Sequence, residues 1–293
     1  MVMRRILVTG QGGQLAAALA TALPPRGFEA ITTGRPAFDF DAPASVGAAV
    51  ATARPDAVVN CAAWTAVDAA EDNEPAAFRA NALGPGLVAA ACAASGIPLI
   101  QISTDYVFDG AKGAPYVESD SPNPLSAYGR TKLAGEWSAL AGNPQTLVLR
   151  TAWVYAAAGH NFLRTMLRLG AERPELRVVA DQHGAPTAAP DLADAIAAIL
   201  SRIRYDGWHD SHRGVFHATG SGTTTWHGFA EAIFGSTGLH PVLTAITTAD
   251  FPTRACRPAD GRLDCSRLDR TFGIRLPPWR EGLARVLHAR LAA

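Results

Sequence analysis

The residues best suited to chemistry in this chain lie between Ser103 and Lys132. Tyr128 is followed four residues later by Lys132, within Ala127-Tyr128-Gly129-Arg130-Thr131-Lys132-Leu133-Ala134-Gly135-Glu136. On a helix, positions i and i+4 share a face one turn apart, so the ammonium is expected close to the phenol. A free tyrosine has a pKa of about 10, and a nearby cation favours the phenolate and lowers that value. A phenol tuned in this way can give or take a proton near neutral pH. Upstream, Ser103-Thr104-Asp105-Tyr106-Val107-Phe108 follows the apolar run Ile97–Ile102 and sets a hydroxyl at a strand end. The Tyr-x3-Lys spacing also describes an ordinary helix pair, so its meaning depends on the elements that position it.

Those elements alternate. Ile6–Thr9, Phe28–Thr33, Ala57–Asn60, Ile97–Ile102 and Thr146–Arg150 read as strands. Gln14–Leu23, Pro43–Ala53 and a long alanine-rich stretch, Glu74–Ser95, read as helices, with Pro43 suited to a helix start and Gly96 to a helix stop. This order predicts an α/β fold, a parallel sheet covered by helices on both faces. Ligands then bind at the carboxyl ends of the strands, where Thr9-Gly10, Asn60-Cys61-Ala62, Ser103-Thr104 and Thr151-Ala152-Trp153 fall.

The first strand runs into Gly10-Gln11-Gly12-Gly13-Gln14-Leu15-Ala16, a G-x-x-G-x-x-G/A turn carried by Gly10, Gly13 and Ala16. Glycines there permit a tight turn and let backbone approach a pyrophosphate at the helix amino end. Gly10, Gly13, Gln14 and Leu15 are therefore cofactor-binding candidates. At the second strand end, Thr32-Thr33-Gly34-Arg35 has no acid for ribose hydroxyls, whereas Arg35 can meet a 2′-phosphate. NADPH is expected in preference to NADH, with NADH possible. Asp39 and Phe40 follow as candidates for the adenine edge and face. Asp41, just before Pro43, is alternatively an N-cap. Ala62, Ala63, Trp64 and Thr65 supply mostly small residues where a cofactor backbone can pass. Asn81 is a poor former of the helix that holds it and reads equally as a bond across to the sheet or as exposed polar filler.

Composition narrows the class. The 293 residues are 48% hydrophobic with 26 basic and 26 acidic side chains, enough for a core and without the basic surplus of a nucleic-acid or membrane-surface binder. No apolar stretch is long enough to span a bilayer. The amino-terminal run stops at Thr9-Gly10, so it is read as a strand rather than a signal peptide. Cys61, Cys92, Cys256 and Cys265 show no metal spacing and are expected to be reduced, buried thiols of a cytoplasmic protein. Beyond residue 150, Gly159–Leu169, Asp191–Arg202, His227–Phe234 and Pro277–Leu291 read as helices, Val215–Thr219 as a strand, and Thr225 as an N-cap. Tyr205–Arg213, with His209 and His212, reads as a surface loop.

Together these motifs resemble the extended short-chain dehydrogenase/reductase superfamily, and within it the dTDP-4-dehydrorhamnose reductase family. The carrying strings are the glycine turn, Asn60-Cys61-Ala62-Ala63-Trp64-Thr65-Ala66-Val67-Asp68, Ser103–Phe108, Tyr128–Glu136, Arg150–Tyr155, Asp181-Gln182-His183-Gly184-Ala185-Pro186-Thr187, Thr223–His227 and Arg257-Pro258. The resemblance implies a Rossmann-type doubly wound parallel sheet with a smaller α/β substrate-binding lobe. Residues 1–150 with about 178–220 would form the dinucleotide-binding domain, and about 151–177 with 221–293 the nucleotide-sugar lobe. It implies reduction of a sugar C4 ketone, with Tyr128 as proton donor, Lys132 lowering the phenol pKa and holding the nicotinamide ribose, and Thr104 on the ketone oxygen. Thr65, Val67, Asp105 and Trp153 would meet the sugar and Arg257 the diphosphate.

Some positions depart from the family pattern. Gly261 stands where a serine is frequent, and His183 where an aromatic is. Family positions described as glutamate ligands of Mg²⁺ near a subunit contact correspond to Ala18 and Pro190, so no metal is expected and the chain is left as monomer or homodimer. Two other readings stay open: a nucleotide-sugar epimerase or dehydratase of the same fold, and a non-catalytic dinucleotide-binding subunit. Tyr106 counts against the dehydratase, which needs a second carboxylate there.

Overall fold

In the computed structural model, which describes residues 3–291, six parallel strands form one sheet. They are β1 (Arg5–Thr9), β2 (Glu29–Thr33), β3 (Ala57–Asn60), β4 (Leu99–Thr104), β5 (Thr146–Thr151) and β10 (Gly214–His217), in the order β10-β5-β4-β3-β1-β2. Every residue of β3 and β5 is buried, as expected for parallel strands covered on both faces. Side chains alternate between the two faces. Ile6 and Val8 pack with α1 (Gln14–Ala22) and α8 (Ala189–Asp206), whereas Leu7 packs with α2 (Pro43–Ala53) and α5 (Gly84–Ser95). After β1 the chain goes to β2 on one side and then to β3 on the other. The strand order therefore reverses at β1/β3, where open α/β sheets bind ligands. Met1 and Val2 of the amino-terminal run lie outside the described residues.

The long helix expected over Glu74–Ser95 is divided. α3 (Val67–Asp72) is followed by α4 (Glu74–Phe78), a single π-helical turn over Arg79–Leu83, and α5. Pro85 has no N–H for the carbonyl of Asn81, four residues back, and a proline inside a helix forces such a widening. The freed Asn81 carbonyl lies over Gly135 of α6 (Ala127–Gly142), so close that a β-carbon there would collide with it.

The second lobe gathers α7 (Phe162–Glu172), α9 (Trp226–Gly235) and α11 (Trp279–Leu291) around Leu163, Met166, Phe229, Ile233 and Leu283. Short strand pairs stitch it together: β6 (Val154–Tyr155) with β9 (Thr187–Ala188), β7 (Glu175–Val179) with β12 (Val242–Ile246), and β8 (His183–Gly184) with β11 (Thr224–Thr225). Helix α10 (Ser266–Phe272) falls in the range expected for this lobe, yet it buries Leu268 and Phe272 in the core of the large sheet. Thr225 caps α9 by accepting from the Gly228 N–H.

Other local expectations are corrected. Strand β4 runs on through Ser103 and Thr104, which pair in register with Arg150 and Thr151. Asp41 does not cap α2, whose N-cap position is Ala42; its carboxylate takes Arg79 at 2.9 Å instead. His212 is not on a surface loop but buried against Phe272. Cys92 is buried, whereas Cys256 is exposed, and all four thiols are free.

Candidate active site

Helix α6 carries the candidate reactive residues Tyr128 and Lys132, and its docking is built from buried charge. Ser126 accepts from the Gly129 N–H at 3.1 Å, and Glu71 accepts from Ala127 N at 2.7 Å, so the first turn of α6 is capped twice. Tyr128, Lys132 and Glu136 follow at intervals of four on one face. Glu136 receives Arg150 in a fork, Nε at 2.8 Å and Nη2 at 2.7 Å, and also accepts from the Ser103 hydroxyl at 2.5 Å. One carboxylate thus ties α6 to both β4 and β5. The Arg150 guanidinium lies 4.9 Å from the centroid of the Phe108 ring, which adds a cation–π contact.

The relation between Tyr128 and Lys132 differs from the expectation. The Lys132 ammonium donates to the Ile102 carbonyl at 2.6 Å. Burial pushes the Tyr128 phenol up to about 12, with the Thr104 hydroxyl pulling against it and the Asp105 charge adding to it. Burial also brings Lys132 down to about 8, opposed by the Glu136 charge and by the neighbouring Cys61. Shared helix face sets the direction of the two side chains, and the buried ammonium is hydrogen-bonded to the Ile102 carbonyl, since leaving its N–H groups unbonded there would be costly.

Asn81 is a working residue, neither sheet contact nor filler. It is 1% exposed. Its side chain accepts from Trp64 N at 2.8 Å and donates to Trp64 O at 3.0 Å and to Thr131 Oγ1 at 3.2 Å. The π-turn therefore holds the loop after β3 against the helix that carries Tyr128. Trp64 and Tyr128 both pack on Ala70, Ala77 and Ala127.

At the switch point, Gly10 has φ +79°, and a β-carbon on it would meet Ala62 N and Cys61 C at 2.9 Å. Beneath it runs a buried polar ladder: Thr9 Oγ1 donates to Asn60 Oδ1 at 2.5 Å, and Asn60 Nδ2 to Gln101 Oε1 at 2.7 Å. Thr9 Oγ1 also accepts from Ala62 N at 3.2 Å. Helix α1 has Gly13 at its N-cap position and no side-chain cap, leaving its first N–H groups free for a ligand. Uncapped N–H groups beside a close glycine approach fit a dinucleotide pyrophosphate. Leu15 is buried, and Gln14 is turned to the second lobe, its Oε1 accepting from Asn161 Nδ2 at 2.7 Å. Arg35 is exposed just past β2. Asp39 accepts from the Asp41 N–H at 3.0 Å, while Phe40 packs against Gly84 and lies edge-on to Phe38 at 5.3 Å. Ala63 follows in the same loop.

Among the residues expected to meet a sugar, Thr65 is exposed and Val67 opens α3. Trp153 has φ +48°, a region costly for a bulky side chain. It is held there by stacking on Trp226 at 3.6 Å and by lying on Gly184. Trp226 is fixed in turn by donating to Gln182 Oε1 at 3.1 Å. Arg257 is not a free cation. It makes a fork with Asp68 of α3, at 3.2 and 2.7 Å, and reaches the Tyr106 phenol. Tyr106 lies edge-on to Tyr128 at 5.5 Å.

A model of the RmlD substrate binding domain matches residues 3–291. The chain belongs to that family. A dTDP-4-dehydrorhamnose reductase of Sinorhizobium fredii is 45% identical over 98% of both chains. A crystal structure of a dTDP-4-dehydrorhamnose reductase from Clostridium acetobutylicum superposes with a TM-score of 0.91 at 39% identity, covering 99% of this chain and 100% of the other. A Bacillus anthracis dTDP-4-dehydrorhamnose reductase solved in complex with NADP matches with a TM-score of 0.90 at 33% identity, over 98% and 99%.

In this RmlD-family chain, three sets of residues carry no signal of their own in the sequence. Asp68 stands there only within a family string, although it presents Arg257. Glu136 and Arg150 also stood inside motifs, but nothing in their spacing, fourteen positions apart, signals a buried pair. Gln182 and Trp226 were likewise recognisable only as family strings. The one available signal was at Asn81: a poor helix former close to Gly84-Pro85 marks an interrupted helix. Ala18 and Pro190 lie on the packed pair α1 and α8 and offer no metal ligand.

Proposed function

We propose that this chain reduces the C4 ketone of dTDP-4-dehydro-6-deoxy-L-mannose to give dTDP-L-rhamnose, with NADPH preferred and NADH possible. The observation that carries this reading is the meeting of Tyr128, Thr104 and Lys132 at the carboxyl edge of the sheet, in a chain that matches reductases over its whole length. A reduced nicotinamide, when bound, supplies hydride to the ketone carbon. Gly10, Gly13, Gln14, Leu15, Ala62, Ala63, Trp64 and Thr65 would hold that cofactor, with Asp39 and Phe40 towards the adenine. Arg35 would take a 2′-phosphate.

The Tyr128 phenol, raised by burial to about 12, is protonated at neutral pH, and negative charge growing on the ketone oxygen draws that proton off. Thr104 offers a second donor at the same oxygen. Lys132 would hold ribose hydroxyls and supply positive charge beside the developing alkoxide. Thr65, Val67, Asp105 and Trp153 would line the sugar, and Arg257, steadied by Asp68, the diphosphate. No residue set is assigned to Mg²⁺. Purified protein mixed with NADPH and the 4-keto sugar nucleotide should consume NADPH absorbance and release a reduced sugar nucleotide; no turnover would sink the reading. Arg35→Ala should raise the KM for NADPH and leave that for NADH in place. An unchanged NADPH value removes Arg35 from the cofactor site.

A further inference from the structure

The Thr104 hydroxyl has one proton and several claimants. Its oxygen accepts from Tyr106 N at 3.2 Å and faces the Tyr128 phenol. Its proton goes to Asp105 Oδ1 at 3.0 Å. While that bond stands, Thr104 can show a ketone oxygen only lone pairs, which repel it. A hydroxyl can donate once, so polarising the ketone requires that Asp105 give the proton up.

We propose that Asp105 is a positioning residue whose acid form donates to Thr104 and so turns the Thr104 proton towards the substrate oxygen. This rests on the reductase reading and gives Asp105 a part beyond lining the sugar. The surroundings favour the acid form. The carboxyl is 2% exposed, and among the described residues it has no ion-pair partner. The backbone of Gly261 closes over Oδ2, where any β-carbon would collide with the carboxyl, so this glycine is what admits the buried acid. The groups facing Asp105 are Tyr106 from its own turn and Tyr128 from α6. Arg257 and Asp68 stand beyond Tyr106 and offset each other. Burial carries the carboxyl up to about 7, against the hydrogen bonds from Thr104 and the backbone. The proton on Asp105 is not consumed: Tyr128 supplies the proton that ends on the product, and solvent restores it.

The test is kcat against pH at saturating substrate, for wild type and the isosteric Asp105→Asn. With a group titrating near 7 required in its acid form, wild-type kcat should fall about fourfold from pH 6 to pH 7.5. In Asp105→Asn that fall should shrink below about 1.5-fold, the remainder belonging to Lys132. An undiminished fall in Asp105→Asn, or an effect confined to KM, overturns the proposal and leaves Asp105 as a sugar contact only. Carboxyl carbon NMR of ¹³C-aspartate-labelled wild type provides a check that needs no turnover. One aspartate should titrate near neutrality, with its midpoint moved upward in Thr104→Val. If every aspartate titrates in the ordinary acid range, the proposal fails even if the enzyme is an active reductase. If the wild type turns over nothing, the reductase reading itself fails.

Discussion

Two junctions in this molecule use the same chemistry, guanidinium on carboxylate, to opposite ends. Where α6 meets β4 and β5, Arg150 and Glu136 are 3% and 2% exposed. Where the segment carrying Arg254 and Arg257 meets α3, Arg257 and Asp68 are 20% and 43% exposed, and Arg254 and Asp72 are 65% and 53% exposed. Removing two charges from water costs several kcal/mol per ion and is offset only in a tight, fully bonded geometry. The inner pair therefore has one acceptable arrangement and fixes the helix that carries Tyr128 and Lys132. The outer pairs lie in high dielectric, are worth little, and can rearrange at small cost.

The contrast can be broken from either side. Tyr128→Phe removes the proposed proton donor and should lower kcat by on the order of 10²–10⁴, with the urea midpoint little changed; a near-normal rate would show that another group protonates the alkoxide. Arg150→Met leaves Glu136 buried without its cation and should destabilise the fold by about 3–5 kcal/mol, read from urea unfolding. A loss below about 1 kcal/mol, the range of exposed pairs, would mean that the inner junction is hydrated after all. Asp72→Asn opens one exposed pair and should cost less than about 1 kcal/mol, an effect that vanishes in high salt because screening already weakens such pairs. A larger, salt-insensitive loss would make the two junctions alike.

Much of the sheet was legible because periodicity and punctuation are local. Strands β1, β2, β3 and β5 fall within a residue or so of the apolar runs that announced them, and α2 and β3 coincide with theirs. The errors have physical causes. Strand β4 continued into Ser103 and Thr104 because parallel pairing with β5 pays no heed to side-chain polarity. The Glu74–Ser95 helix gained a π-turn because Pro85 cannot donate. Asp41 lost the capping role to an ion pair with Arg79, a partner 38 residues away.

At the site the sequence by itself determined which groups stand on the reacting edge. A glycine turn after one apolar run, a hydroxyl at the end of another and a Tyr-x3-Lys helix are local facts, set by backbone sterics and helical spacing. Tertiary structure alone decided what each group is bonded to and how it is charged. Lys132 donates to the Ile102 carbonyl, Thr104 to Asp105, and Arg257 to Asp68. Spacing fixes directions along one element, whereas partners and pKa values depend on burial and on residues far away in the chain, and those exist only once the elements have packed.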